Sequence, residues 1–143
     1  MIKVNFHDTD SVEDSKLLFA VIMAKYEGKW VFARHKERTT WEIPGGHRDE
    51  AEPINSTASR ELFEETGAKK FKLFPVCVYS VERDGEESYG HLFYSEIEEL
   101  KELPNTEIGE IMLCEDIPKN LTYPYIQPYL YKRVLEFLEM QKP

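Results

Sequence analysis

Glu61, Glu64 and Glu65 fall at i, i+3 and i+4 within GHRDEAEPINSTASRELFEETGA, the segment from Gly46 to Ala68. On an α-helix that spacing sets all three carboxylates on one face. Like charges this close repel by roughly a few tenths of a kcal/mol per pair in water, so a helix selected for stability alone would interleave lysines. A divalent cation removes the penalty. Mg²⁺ suits the pattern, with Mn²⁺ as a substitute, because it takes hard oxygen ligands and binds a few carboxylates together with substrate phosphates and water. Arg60 precedes the cluster and reaches Glu64 across one turn, orienting a carboxylate rather than touching substrate. Glu52 adds a fourth acid just before the helix. Gly45 and Gly46 are expected to form a tight turn with unusual backbone angles that brings a carbonyl close to the metal.

These groups need elements to hold them. Pro53 to Thr66 carries Ala58 and Leu62 at helical spacing and stops at Gly67, which predicts a helix ending in a left-handed residue. Leu17–Lys25 and Trp30–His35 are apolar and β-branched around Tyr26-Glu27-Gly28-Lys29, the pattern of a hairpin. Trp41–Ile43 reads as a short strand ended by Pro44. Phe71–Val81 and Tyr89–Tyr94 predict a second hairpin with a polar tip, and Ile111–Cys114 a further strand. Ile126 to Met140 has the spacing of an amphipathic helix, with Pro128 near its start. Strands, helix, strands, helix imply an α/β or α+β fold, a mixed sheet between helices in a three-layer sandwich.

The chain has 143 residues, 41% of them hydrophobic and 13% aromatic, enough for one core, so residues 1–143 are expected to form a single domain. The longest apolar run, Leu17–Ala24, is much shorter than the roughly 20 residues that span a bilayer. Cys77 and Cys114 suggest reduced core thiols in a cytoplasm. A net charge of −9 argues against binding nucleic acid polymers or anionic lipid, leaving a small anionic substrate bridged by metal to the protein's own acids.

The Gly46–Ala68 segment resembles the Nudix family box: G, five residues, E, seven residues, R-E-aliphatic-x-E-E-x-G-aliphatic. Gly46, Glu52, Arg60, Glu61, Leu62, Glu64, Glu65, Gly67 and Ala68 match each specified position in register. The resemblance implies a Nudix α/β/α sandwich whose metal ligands are Glu61, Glu64, Glu65 and the Gly45 carbonyl, with Glu52 supporting and Arg60 orienting them. It also implies hydrolysis of a nucleoside diphosphate linked to another group, by a monomer or homodimer.

The general base in such a protein comes from outside the box, and Glu107, in Asn105-Thr106-Glu107-Ile108-Gly109-Glu110, is the expected one, with Glu110 second. Arg34 and the Gly46 backbone are the expected substrate contacts, while Lys36, Arg38, His47 and Arg48 also flank the glycines. Tyr79, Tyr89, Phe93 and Tyr94 are candidates for stacking on a base. His35 and His91 read as ordinary strand histidines. Asp84, Gly85 and Glu86 stand where several Nudix branches carry a proline or tyrosine, which favours a nucleoside triphosphate, cut to monophosphate and pyrophosphate. Gly28-Lys29-Trp30, the Glu42-x-Pro-Gly-Gly entry and Lys119-Asn120-Leu121-Thr122 look similar to bacterial enzymes that clear 8-oxo-dGTP. The alternatives are a hydrolase of nucleotide sugars or ADP-ribose, and a Nudix module that senses a nucleotide without cutting it.

Overall fold

A computed structural model describes residues 1–104 and 107–141; Asn105 and Thr106, which open the segment of the expected base, lie outside them. The strands are β1 (Ile2–His7), β2 (Leu17–Tyr26), β3 (Lys29–His35), β4 (Gly45–His47), β5 (Ala68–Arg83), β6 (Glu86–Leu100) and β7 (Ile108–Cys114), and the helices α1 (Ile54–Thr66) and α2 (Gln127–Met140). The strands form one mixed sheet in the order β1-β5-β6-β2-β3-β7, with β4 attached to β2. Only the β2–β6 pair is parallel among these.

Alternation along the strands divides the core in two, as side chains on a pleated strand must. Ala20, Ile22, Ala24, Val31, Phe93 and Ile97 face α1 and pack on Ala58 and Leu62. Met23, Trp30, Phe32, Leu92 and Tyr94 point the other way, toward Leu130 and Val134 of α2. The sheet is therefore covered on both faces. Among the described residues no helix is long and apolar enough to cross a membrane.

Both hairpins turn on two residues with positive φ, Glu27-Gly28 and Asp84-Gly85. The second is much tighter than its six-residue polar stretch suggests, because pairing continues out to Arg83↔Glu86. Three further differences bear on the site. Trp41 and Glu42 make only isolated bridges, to Leu121 and Ala33, instead of a strand. Gly45 and Gly46 are not a turn with unusual angles: their φ values are not positive, and they form β4 against Val21 and Ala20. β1, for which no strand is predicted from the sequence, lies along β5 with Ile2 opposite Arg83.

β3 and β4 share one edge of β2. Ala24–Tyr26 pair with β3 and Phe19–Val21 with β4, and Pro44 accepts a 2.8 Å bond from the Ile22 N–H between them. The far end of β3, at His35, therefore leaves β2, and a cleft opens beside it.

Candidate active site

α1 buries Thr57, Ala58, Leu62 and Thr66 against the sheet. Glu61 and Glu65 follow Ala58 and Leu62 by three residues, so they border that buried stripe, and their side chains are 12% and 16% exposed. Glu64 lies farther round, at 38%. The helix ends as expected: Gly67 adopts φ 81°, and its N–H bonds the Phe63 carbonyl.

The two glycines of β4 serve close approach rather than unusual angles. A Cβ on Gly45 would stand 2.5 Å from the Ala20 carbonyl oxygen, and one on Gly46 would overlap the Glu61 carboxylate. Gly45 N–H donates to Glu65 Oε1 at 2.9 Å. The box glycine and its neighbour thus let α1 press two carboxylates onto the backbone of β4.

Arg60 joins the acids. Its Nε and Nη2 donate to the two oxygens of Glu52 at 2.9 and 3.0 Å, and Nη1 reaches Glu61 at 2.7 Å and Glu64 at 3.3 Å. Glu52 also accepts from the Thr57 hydroxyl and the Asp49 N–H. The Arg60 bonds, with help from Thr57, hold the Glu52 carboxyl down at about 2. Glu52 in turn raises the guanidinium further. Arg60 reaches Glu64 across one turn, as its spacing predicts, and makes its fullest contact with Glu52.

Burial pushes the Glu65 carboxyl up to about 8 against the opposing Gly45 N–H, and raises Glu61 with help from the Glu64 charge. Two carboxylates drawn out of water beside each other are strained as anions.

A cleft of about 790 Å³ passes over this corner. It is lined by seven acids (Glu42, Glu61, Glu65, Asp84, Glu86, Glu87 and Glu107) but by only two arginines, Arg38 and Arg83. His35, taken as an ordinary strand histidine, stands within it: Nε2 is 3.7 Å from Glu42 and 4.0 Å from Glu65, and Nδ1 is 3.9 Å from Glu107. Glu42 is 12% exposed and held by Arg38 at 2.5 Å and Thr122 at 3.1 Å. Neither was assigned from sequence, although Glu42 sits in the noted Glu-x-Pro-Gly-Gly entry. Their roles depend on contacts with α1 and the Glu107 segment, which leave no local pattern.

The remaining expected residues divide. Glu107 lines the cleft with its side chain 89% exposed, whereas Glu110 pairs at 3.3 Å with Arg34. Neither Arg34 nor Glu110 lines the cleft, and Arg34 also bonds the His35 and Arg38 carbonyls. Arg48 is tied to Asp14 and to the Glu52 carbonyl. Of the four stacking candidates only Tyr79 lines the cleft; Phe93 is wholly buried on the α1 side, Tyr94 packs against Trp30, and Tyr89 bonds Glu87. His91 is buried and stacks on Phe93 at 4.3 Å.

Among the described residues no three His, Cys, Asp or Glu side chains form a ready-made metal cage. The three glutamates share one helix face, with their carboxylates engaged by different partners. Arg60 draws Glu64 and one edge of Glu61, while the Gly45 N–H takes Glu65. The donor set still fits a hard cation: two half-hidden carboxylates beside bare glycine backbone in an open cleft satisfy an ion that takes one or two carboxylates and completes its shell with water and phosphate.

A family model described as the NUDIX domain matches residues 16–133. YtkD of Bacillus subtilis (strain 168), provisionally named an 8-oxo-dGTP diphosphatase, is 27% identical over 122 residues, 85% of this chain and 75% of that protein. The ADP-ribose pyrophosphatase of the same organism is 35% identical over 101 residues, 65% of this chain but 55% of that protein. Among solved structures, a mutant of the Bacillus subtilis pyrophosphohydrolase BsRppH shares the fold with a TM-score of 0.77 at 23% identity, covering 94% of this chain and 90% of that one. UDP-X diphosphatase shares it at 0.72 and 17%, covering 92% and 67%. The chain belongs to the NUDIX family, whose hydrolases act on nucleoside diphosphate linkages and generally use divalent metal ions.

Proposed function

We propose that this protein is a Mg²⁺-dependent pyrophosphohydrolase, with Mn²⁺ as a substitute ion, that cuts a nucleoside triphosphate to monophosphate and pyrophosphate. 8-oxo-dGTP is the first substrate to try. The observation that carries this reading is the pair Glu61 and Glu65, pressed against the Gly45–Gly46 backbone in a cleft with many more acids than arginines. Such a cleft repels a bare triphosphate, and cations between the two sets of anions reverse that.

Glu61, Glu64, Glu65 and the Gly45 carbonyl are the assigned metal ligands. Bound metal supplies a Lewis acid for the phosphoryl oxygens and lowers the pKa of a coordinated water. Arg60 and Glu52 keep the acids of α1 in place. Glu107 is the assigned base, supported by its place in the cleft beside His35, whereas Glu110 is engaged by Arg34. The Gly46 backbone is the assigned phosphate contact. Arg34, read as a substrate contact, bonds the Arg38 carbonyl and lies outside the cleft lining, whereas the Arg38 side chain is part of it. We place the protein in a reducing cytoplasm as a single domain, monomeric or homodimeric. The names of the relatives support the nucleotide class and differ over its member.

The test is turnover of a panel of nucleoside triphosphates, ADP-ribose, a dinucleoside tetraphosphate and nucleotide sugars under Mg²⁺, with pyrophosphate and phosphate measured separately. Pyrophosphate release from triphosphates is the expected result. Turnover of ADP-ribose or nucleotide sugars alone overturns the triphosphate reading, and saturable binding without turnover under either metal overturns the enzyme reading.

A further inference from the structure

Cations are scarce in the cleft, and one of them is held in a particular way. Arg34, Arg48 and Arg60 each give their guanidinium donors to three or more protein oxygens. Arg83 lines the cleft at the β5–β6 turn, opposite Glu86. Arg38 differs from all of these. Its side chain is 43% exposed and lines the cleft beside His35, and its Nη1 donates to Glu42 Oε2 at 2.5 Å. The Glu42 bond, helped by Tyr123, raises the guanidinium. A guanidinium carries five N–H donors in a planar fork, so Arg38 keeps donors over for an oxyanion.

The fold fixes this pair from both ends. Glu42 exchanges backbone bonds with Ala33 of β3 at 2.9 and 2.8 Å, and its carboxylate also accepts from the Thr122 hydroxyl at 3.1 Å. Thr40 lies 2.6 Å from that hydroxyl and, since Thr122 gives its one proton to Glu42, is the donor between them. Arg38 closes a turn: its N–H donates to the His35 carbonyl at 3.0 Å, and its own carbonyl accepts from Arg34 Nη1 at 3.0 Å. The second oxygen of Glu42 lies 3.7 Å from His35 Nε2, which lies 4.0 Å from Glu65. Arg38, Glu42, His35 and Glu65 therefore form one file that leads from a cation to the acids of α1. A loose arginine among so many carboxylates would fold onto the nearest, and a partner of its own keeps Arg38 off the acids of α1.

We propose that Arg38 is a polyphosphate contact, taking phosphoryl oxygens that metal leaves uncovered, and that Glu42 is the positioning residue that presents it. The inference rests on the reaction proposed above, of which pyrophosphate is a product. A guanidinium meets two phosphoryl oxygens side by side, which an ammonium cannot do. Glu42 is then an acid whose presence helps an anion to bind. Its charge alone does the opposite, because a carboxylate in the cleft repels phosphate, and a guanidinium held in place by it reverses the sign.

Binding of inorganic pyrophosphate under excess Mg²⁺, followed by calorimetry, tests this apart from turnover. Arg38→Gln is expected to weaken it at least about tenfold, the effect of losing hydrogen bonds between charged groups. Glu42→Gln is expected to weaken it about fivefold when Arg38 is present. Where Arg38 is already Gln, the same change should not weaken binding, since a residue that acts through another loses its effect with it. Unchanged or tighter binding in Glu42→Gln, or equal weakening with and without Arg38, overturns the positioning role. Undiminished binding in Arg38→Gln, or no binding by the wild type, overturns the contact. Arg38 is half-exposed, and its variant keeps the test decisive if Glu42→Gln does not fold. Pyrophosphate binding that depends on Arg38 without triphosphate turnover overturns the proposed reaction and leaves the contact standing; triphosphate turnover with wild-type kcat and KM in Arg38→Gln does the reverse.

Discussion

Arg60 forks onto Glu52, with Nε to Oε2 at 2.9 Å and Nη2 to Oε1 at 3.0 Å, while its third nitrogen reaches Glu61 at 2.7 Å. One guanidinium thus ties the residue before the helix to the carboxylates on it. A lysine keeps the charge but cannot make the fork. Arg60→Lys is expected to lower kcat/KM by about 10- to 100-fold, the usual effect of losing a group that orients metal ligands. Unchanged steady-state kinetics in this variant would remove Arg60 from the site.

The same pair has a signature in acid. The Glu52 carboxyl is depressed from 4.5 to about 2, so its contribution to stability is complete above pH 4.5 and is lost as pH falls toward 2. Glu52→Gln should therefore show a flatter dependence of Tm on pH across that window than the wild type. Parallel Tm curves would contradict the pairing.

Glu65 has the opposite sign. Its carboxyl is raised from 4.5 to about 8, chiefly by burial, so the folded state holds a proton that the unfolded chain gives up. Stability in EDTA should fall as pH rises from about 4.5 to about 8, and Glu65→Gln should remove that slope. Mg²⁺ should raise Tm more at pH 8.5 than at pH 6, since it replaces the proton as the counter-charge. Scanning calorimetry over this range checks both, and a Mg²⁺ shift independent of pH would count against Glu65 as a ligand.

Glu64, the most exposed of the three glutamates on α1, touches the core least. Glu64→Gln is expected to reduce turnover at least about 100-fold by weakening metal binding, with Tm close to wild type. Near-normal activity would refute its assignment as a ligand.

Adjacent glycines should fail differently. A methyl on Gly45 meets the Ala20 backbone, which cannot yield, so Gly45→Ala should cost about 1–3 kcal/mol of stability and lower Tm by several degrees. A methyl on Gly46 meets the Glu61 side chain, which can swing away, so Gly46→Ala should lose activity before stability. Paired Tm and kcat measurements separate the two, and equal stability losses would show that Glu61 is not free to move.

The residues alone carried the helix bearing Glu61, Glu64 and Glu65, its stop at Gly67, the hairpin at Glu27-Gly28 and the α2 stripe of Leu130 and Val134. These signals are local: each depends on helical or strand periodicity, or on a turn residue within a few positions. The two-helix, mixed-sheet sandwich followed from their order. Tertiary structure decided what depends on distant partners. Gly45–Gly46 became a strand because Phe19–Val21 left an open edge, and β1 found its place only along β5, 77 residues away in the Asn5–Glu82 contact. His35 and Glu42 joined the site, Arg34 turned to Glu110, and Gln127 and Tyr79 came to line one cleft. A side chain's type says which bonds it can make, but the partner is chosen by backbone brought from far along the chain, and that choice has no period to read.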